Sequence, residues 1–363
     1  MTLRTEHGGR VRTAAPAGPR SPDGVATALS LAVLGAVLAV QLIAPQVWAQ
    51  HGWVVLVTGL LTGLPHGAVD HLVPGFLLRE DAPRLVLVIT AYAATAVAAW
   101  AVFRSVPAIA LTVFVLLSVL HFGAGEVAFD HDRAYVPAGA RRSPLLADPL
   151  AVLATGGAAL LLPVLREPAT SAPLVALLVP GSTGLLPAWL SATGVAVVLT
   201  AVALTVVRRL RRRRWLGALE VALLAAVGLL VAPLAAFGAY FGAWHAVRHV
   251  GRMIAQDPAS TPDLAAGRML RPLGRFARAA AAPTAVSLAA LAALWALAGG
   301  WQGFVTANLA LLAGLTVPHV LVVTWWDRYH ARRGAPTPAA TGSRPTSGSA
   351  PARAQLLSGR RSP

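Results

Sequence analysis

The chain contains no cysteine and no lysine, and it has few charged residues of any kind. Without cysteine there is no disulfide, no thiolate metal ligand, no iron–sulfur cluster and no cysteine nucleophile. Charged residues make up 12% of the 363 positions, against about 25% in soluble globular proteins. Apolar residues make up 56%, and the mean hydropathy is +0.65. This composition excludes an ordinary soluble enzyme and indicates a membrane protein that crosses the bilayer several times.

Ten apolar stretches are long enough to cross a bilayer, for which a helix needs roughly 20 apolar residues. The predicted fold class is therefore all-α, a polytopic transmembrane helical bundle of about ten spans. The seventh and eighth spans meet at Pro233 with almost no loop. Segment 172–188 is apolar but interrupted by three prolines, and we interpret it as an outer-face or re-entrant segment. The ten stretches are residues 26–48, 53–77, 85–103, 106–128, 145–165, 189–207, 215–233, 234–252, 279–299 and 302–326.

All 30 basic residues are arginines, and the formal net charge is +16. With the N-terminus inside, Arg104 and Arg166 fall outside and Arg248 lies within a span, while the other 27 arginines lie on the inner side. The positive-inside rule explains this bias, so both termini are expected in the cytoplasm and the protein in the cell membrane. A nucleic-acid partner is rejected, because the arginines lie between apolar spans rather than on one soluble face.

The two ends of the chain are rich in Arg, Pro, Gly, Ser and Thr and have little to bury. We predict that residues 1–25 and 327–363 are disordered tails and that residues 26–326 form a single transmembrane domain. The first span lacks a clear small-residue cleavage site, so we expect it to be retained as a helix rather than removed as a signal peptide.

Histidines near the centres of four even-numbered spans are the strongest functional signal, because ionisable groups inside a bilayer are costly. We measure the depth of each histidine from the inner end of its span, at a rise of about 1.5 Å per residue. The depths are roughly 16 Å for His66, 10 Å for His121, His245 and His319, and 5 Å for His249. Four co-oriented helices thus place imidazoles in one layer. Chance does not favour a shared depth, whereas a shared metal site explains it.

The local spacing of these residues also points to a metal site. His245 and His249 in WHAVRH are i, i+4, so they face the same way on a helix. His66 and Asp70 in LPHGAVDH have the same spacing. We therefore expect Asp70 to accept the second ring N–H of His66, as outer carboxylate partners of metal ligands do, or to be a further ligand itself.

Other residues near the layer have weaker assignments. His71 lies about 140° round the helix from His66 and is therefore expected to point away from the proposed site. Arg248 is expected to snorkel to the inner interface or to pair with Asp70. Phe122 and Trp244, each next to a histidine in the sequence, are candidates for lining a substrate pocket.

The chemistry of the ligands narrows the choice of metal. All-imidazole ligation suits Zn, Cu, Fe or Ni rather than Mg or Ca, and it does not by itself select iron over zinc. A di-iron desaturase needs several HxxxH and HxxHH clusters, and the chain has one HxxxH and no HxxHH. A bis-histidine haem carrier leaves several of the histidines without a role. A proton- or metal-coupled transporter is the remaining alternative, although its relay would have to cross the whole bilayer.

Four short motifs, in order along the chain, resemble those of a known family. They are LPHGAVDH at 64–71, HFGAGE at 121–126, WHAVRH at 244–249 and PHVLVV at 318–323. Together they resemble the Brp/Blh family, the integral-membrane β-carotene 15,15′-dioxygenases of bacteria and haloarchaea. The resemblance covers roughly residues 53–326. The arginine-rich insert at 208–214 and the broken segment 172–188 depart from it and leave the exact carotenoid open.

The resemblance implies central oxidative cleavage of β-carotene by O₂ at an Fe(II) site, with two molecules of retinal as product. The implied catalytic residues, which are also the implied iron ligands, are His66, His121, His245 and His249. His319 is implied less firmly, and it remains open whether His319 or His71 also binds iron. The implied partners are β-carotene or a related carotenoid, O₂ and the lipid bilayer, while a functional link to a retinal-binding rhodopsin is left open.

Overall fold

The computed structural model describes residues 21–71, 73, 82–134 and 143–333, and every regular element within those ranges is helical. The all-α prediction is therefore confirmed for the described residues. Within the same ranges, two π-helical turns interrupt the α-helices, at Gly157–Leu161 and Tyr240–His245, and a 3₁₀ turn lies at Pro258–Ser260. The α-helices are α1 Pro22–Ile43, α2 Gln46–Ala68, α3 Ala82–Ser105, α4 Pro107–Arg133, α5 Pro144–Ala147, α6 Pro149–Gly156, α7 Leu162–Leu165, α8 Pro168–Leu178, α9 Ala188–Arg211, α10 Trp215–Leu230, α11 Pro233–Ala239, α12 Ala246–Gln256, α13 Thr261–Ala265, α14 Leu270–Leu297 and α15 Trp301–Arg333.

Within the described residues, seven helices are long and apolar enough to cross a membrane. An eighth is added if Pro149–Leu165 and Pro168–Leu178 count as one span, although they are bent by 93° where they meet. The apolar helix Trp215–Leu230 has only 16 residues. Each of the ten predicted stretches contains a helix, but the count of ten spans and the cytoplasmic placement of the termini stay predictions.

The ends of the helices follow local sequence signals. Pro233 is the first residue of α11, shortly after α10 ends at Leu230. Proline is favoured at this position because its missing N–H would have no helical partner there. The break predicted between the seventh and eighth spans is thus found at that proline.

The helices reach into both predicted tails. Helix α1 begins at Pro22 and α15 continues to Arg333. The rest of the predicted tails, residues 1–20 and 334–363, lies outside the described residues.

Glycines bring the helices of the central region into backbone contact. A Cβ on Gly59 of α2 would overlap the carbonyl oxygen of Gly238 in α11, and a Cβ on Gly63 would overlap the ring of Phe241. A Cβ on Gly123 of α4 would likewise overlap a backbone carbonyl of α6. Helices α2 and α4 can therefore approach the segments around them more closely than any larger residue would allow.

Two apolar clusters pack against the segments that carry the histidines. The larger joins residues of α1, α9, α10 and α11 and includes Phe122, Tyr240 and Trp244. A smaller cluster includes Val69, just after α2, and Trp326 of α15. Packing of this kind, rather than helix propensity, holds the histidine-bearing segments at fixed rotations.

Candidate metal centre

Five buried imidazoles form one cluster, and each is less than a tenth exposed. Neighbouring rings lie with their centroids between 4.9 and 6.3 Å apart. The five rings come from α2, α4, the second π-helical turn, α12 and α15. The members of this imidazole cluster are His66, His121, His245, His249 and His319.

The ring nitrogens of the cluster fit a metal ion. Among the described residues, Nε2 of His121, His245, His249 and His319 is buried and has no hydrogen-bond partner. Ligand nitrogens of His66, His245 and His319 all lie within 4.8 Å of one another. An unsatisfied buried polar atom costs about 1–3 kcal/mol, so several together need a common partner. A set of neutral imidazole nitrogens suits Fe, Zn, Cu or Ni.

The tautomer of His66 follows from its backbone contact. Its Nδ1 hydrogen-bonds to the carbonyl oxygen of Gly63, one turn earlier in α2. Because a carbonyl can only accept, Nδ1 carries the proton and Nε2 is the nitrogen left for a metal. Gly63, which has no side chain and so leaves room for the ring of Phe241, thus also orients His66 through its carbonyl oxygen.

Asp70 pairs with His319 rather than with His66 or Arg248. Nδ1 of His319 lies 2.8 Å from Oδ2 and 3.0 Å from Oδ1 of Asp70. The expected i, i+4 relation to His66 was wrong because α2 ends at Ala68 and the chain turns at Asp70, so the two residues do not share a helix face.

Arg248 is buried and ion-paired, so the expectation that it snorkels to the interface was wrong. Its guanidinium donates to Glu126 and Glu220, at 2.8 Å in each case. The same guanidinium lies 3.7 Å from the centroid of Trp244. Because Arg248 lies between the two histidines of WHAVRH, these contacts hold the segment that presents both imidazoles.

Two further arginines extend the ion-pair network along the bundle. Arg133 at the end of α4 donates to both oxygens of Glu220 in α10, at 2.7 Å each. Arg252 of α12 pairs with Asp132 at 2.9 Å and with Asp327 of α15 at 2.7 Å. Helices α4, α12 and α15, which carry three of the imidazoles, are therefore linked by charge pairs as well as by apolar packing.

Aromatic rings lie beside the imidazole cluster. The ring of Phe122 lies 4.8 Å from that of His245, and the ring of Phe241 lies 5.4 Å from that of His66. Trp244, the other residue proposed from sequence to line a pocket, is fully buried and packs under the arginine of WHAVRH.

Sequence reasoning assigned no role to several residues that contact the site. Phe241 and Tyr240 lie on the π-helical turn that ends at His245, and such turns are common at functional sites. Tyr92 of α3 donates a hydrogen bond to Asp70 at 3.0 Å. Tyr92 is the one tyrosine in the third predicted span. A single phenol in an apolar span was the sequence signal that could have identified it.

The comparisons with known proteins agree on one family. A family model described as beta-carotene 15,15'-dioxygenase matches residues 57–327, a range that contains the whole imidazole cluster. The chain is 34% identical over 332 residues to the probable beta-carotene 15,15'-dioxygenase Blh of Halobacterium salinarum, covering 83% of this chain and 90% of that relative. No solved structure matches the chain.

Proposed function

The chain belongs to the β-carotene 15,15′-dioxygenase family, and from that premise we propose that it cleaves the central double bond of β-carotene at an intramembrane iron site. The bond between C15 and C15′ breaks, each carbon receives one atom of O₂, and two molecules of retinal leave. The chain is thus a dioxygenase. The residues proposed to hold Fe(II), through imidazole nitrogen, are His66, His121, His245 and His249.

The observation that carries the proposal is the convergence of buried imidazole nitrogens that have no partner among the described residues. The reaction is inferred from the family. The nitrogens form a site that suits a redox metal and lies within the range that the family model matches. Fe(II) held there would supply the activation of O₂ that alkene cleavage requires. The transporter alternative has no comparable support from the comparisons.

The residues around the cluster are suited to an apolar polyene. Phe122 and Phe241 place aromatic rings beside the imidazoles, and such faces can hold a rigid conjugated chain in one orientation. Asp70, whose carboxylate contacts the cluster, is hydrogen-bonded to His319. Cleavage of an alkene by O₂ requires no side-chain general base, so this arrangement is consistent with the reaction.

The apolar exterior of the helices supports a membrane location for both enzyme and substrate. Large apolar side chains remain exposed on the described helices, Trp53, Leu87 and Val113 among them. β-Carotene partitions into the hydrocarbon of a bilayer, so we propose that it enters the site laterally from the lipid of the cell membrane.

The test is to express the full chain in cells that accumulate β-carotene and to analyse the extract for retinal. The purified protein is then stripped with a chelator and reloaded with Fe²⁺ or with Zn²⁺. We expect bleaching of the pigment, retinal as the product, and recovery with Fe²⁺ only. Unchanged carotenoid despite verified membrane expression would contradict the function, and equal recovery with Zn²⁺ would contradict the metal.

A further inference from the structure

The ring of His319 lies as close to its neighbours in the imidazole cluster as the rings of the four proposed ligands lie to one another. Its ring centroid is 4.9 Å from that of His121, 5.1 Å from that of His66 and 5.6 Å from that of His249. Within the part of the chain that the structure describes, it also belongs to the one group of three histidines whose ligand nitrogens all lie within 4.8 Å of one another. His121 and His249 are outside that group. The geometry therefore gives no reason to separate His319 from the ligand set.

The hydrogen bonding of His319 leaves a lone pair directed into the protein interior. Both carboxylate oxygens of Asp70 lie within 3.0 Å of Nδ1. A carboxylate can only accept, so Nδ1 carries the proton and Nε2 of a neutral ring carries the lone pair. That Nε2 is buried and has no hydrogen-bond donor among the described residues. An imidazole held through its other nitrogen by a carboxylate is the usual arrangement at a metal ligand.

Tyr92 holds the carboxylate in place. Its hydroxyl lies 3.0 Å from Oδ2 of Asp70 and 3.4 Å from the carbonyl oxygen of Leu315, one turn before His319 in α15. The hydrogen-bonded pair of Asp70 and His319 is therefore attached to α3 as well as to the turn after α2. A histidine that only packs in the core would not need Asp70 and Tyr92 to hold its ring in one tautomer and one orientation.

We propose that His319 binds the metal through Nε2 as a fifth imidazole ligand, and that Asp70 and Tyr92 are positioning residues that set its tautomer and orientation. This inference rests on the proposed function only in that the cluster must bind a metal. A fifth imidazole would occupy a position on the metal that four histidines would leave free for other ligands. The metal would thus be less accessible to other ligands than in a site of four histidines.

The test compares metal binding in His319→Ala, Asp70→Asn and Tyr92→Phe with that of the unaltered protein. His71→Ala is the matched control, because His71 adjoins Asp70 but its Nδ1 contacts the carbonyl oxygen of Ala68 instead, at 3.1 Å. The readouts are bound iron per chain, the affinity for Fe²⁺, and the number of nitrogen donors from X-ray absorption. None of them depends on turnover.

We expect five nitrogen donors in the unaltered protein and one fewer in His319→Ala. Asp70→Asn should lower the affinity about 10- to 100-fold, as loss of an outer partner typically does, with Tyr92→Phe affected in the same direction and His71→Ala unchanged. Tyr92→Phe keeps the ring and should fold even if His319→Ala does not.

Two results would overturn the inference. Four nitrogen donors in the unaltered protein, with normal affinity in Asp70→Asn and Tyr92→Phe, would show that His319 is not a ligand while leaving the enzyme function intact. A correctly folded protein that binds no iron and forms no retinal would remove the proposed function and this inference together.

Discussion

Nδ1 of His319 donates a hydrogen bond to Oδ2 of Asp70 at 2.8 Å, although 249 positions separate the two residues in the chain. The contact joins the turn after α2 to the middle of α15. The last helix is therefore part of the imidazole cluster and not merely a closing span of the bundle. Asp70 thus has an imidazole partner, while the charge of Arg248 is balanced by Glu126 and Glu220.

Removal of a proposed ligand should abolish activity together with metal binding. In His121→Ala and His249→Ala we expect bound iron to fall and retinal formation to drop at least about 100-fold, more than for loss of an outer partner. The measurements are iron per chain and retinal per unit time in purified membranes. His71→Ala is the control and should stay close to the unaltered protein. Full activity in either ligand variant would show that the ligand assignment is wrong.

Removal of the charge on Arg248 should destabilise the protein strongly. The change Arg248→Gln leaves Glu126 and Glu220 buried without this counter-ion, and breaking a buried ion pair typically costs about 3–5 kcal/mol. Thermal unfolding in detergent measures the effect as a lower Tm. The control is Arg104→Gln, because Arg104 is exposed. A shift in Tm no larger than that of the control would mean that the ion pairs contribute little.

A methyl group on Gly63 should disturb the aromatic side of the site. In Gly63→Ala the new Cβ would overlap the ring of Phe241, which packs on His66. Overpacking of this kind typically costs about 1–3 kcal/mol, and displacement of the ring should also slow retinal formation. Gly35→Ala is the control, because a Cβ there meets nothing within 4 Å. Equal stability and activity of the two variants would contradict this role for Gly63.

Acid should weaken a charge cluster outside the predicted spans. The hydrogen bond from Arg275, followed by that from Arg268, lowers the pKa of Asp263 below its ordinary value. A lowered folded-state pKa contributes stability above the unfolded pKa of about 3.9, and this contribution is lost as the pH falls through the folded-state pKa. Unfolding measured from pH 6 to pH 3 should show a smaller acid loss in Asp263→Asn. An unchanged acid slope in that variant would show that Asp263 makes no such contribution.

The helices that carry the imidazoles could be predicted from the sequence, because the length of an apolar run is a local quantity. The fixed rise of a helix predicts depths of roughly 16 Å for His66 and 10 Å for His121 and His245, and these depths stay predictions. The i, i+4 spacing places His249 beside His245 for the same reason. Rise and spacing do not depend on how the helices pack, so a layer of histidines could be expected before any contact was known, whereas their meeting in one cluster also requires the rotation of each helix.

The partners of the imidazoles depend on where a helix ends and how it is rotated against its neighbours. Asp70 turns away from His66 because α2 ends at Ala68, two residues before it. It meets His319 because α15 packs against the segment that carries Tyr92. Rotation and helix ends are determined by packing over the whole bundle, where apolar and charged contacts from distant parts of the chain compete. The sequence alone therefore determined which apolar helices carry the histidines, and only the tertiary structure decided that their rings meet and which side chains hold them in place.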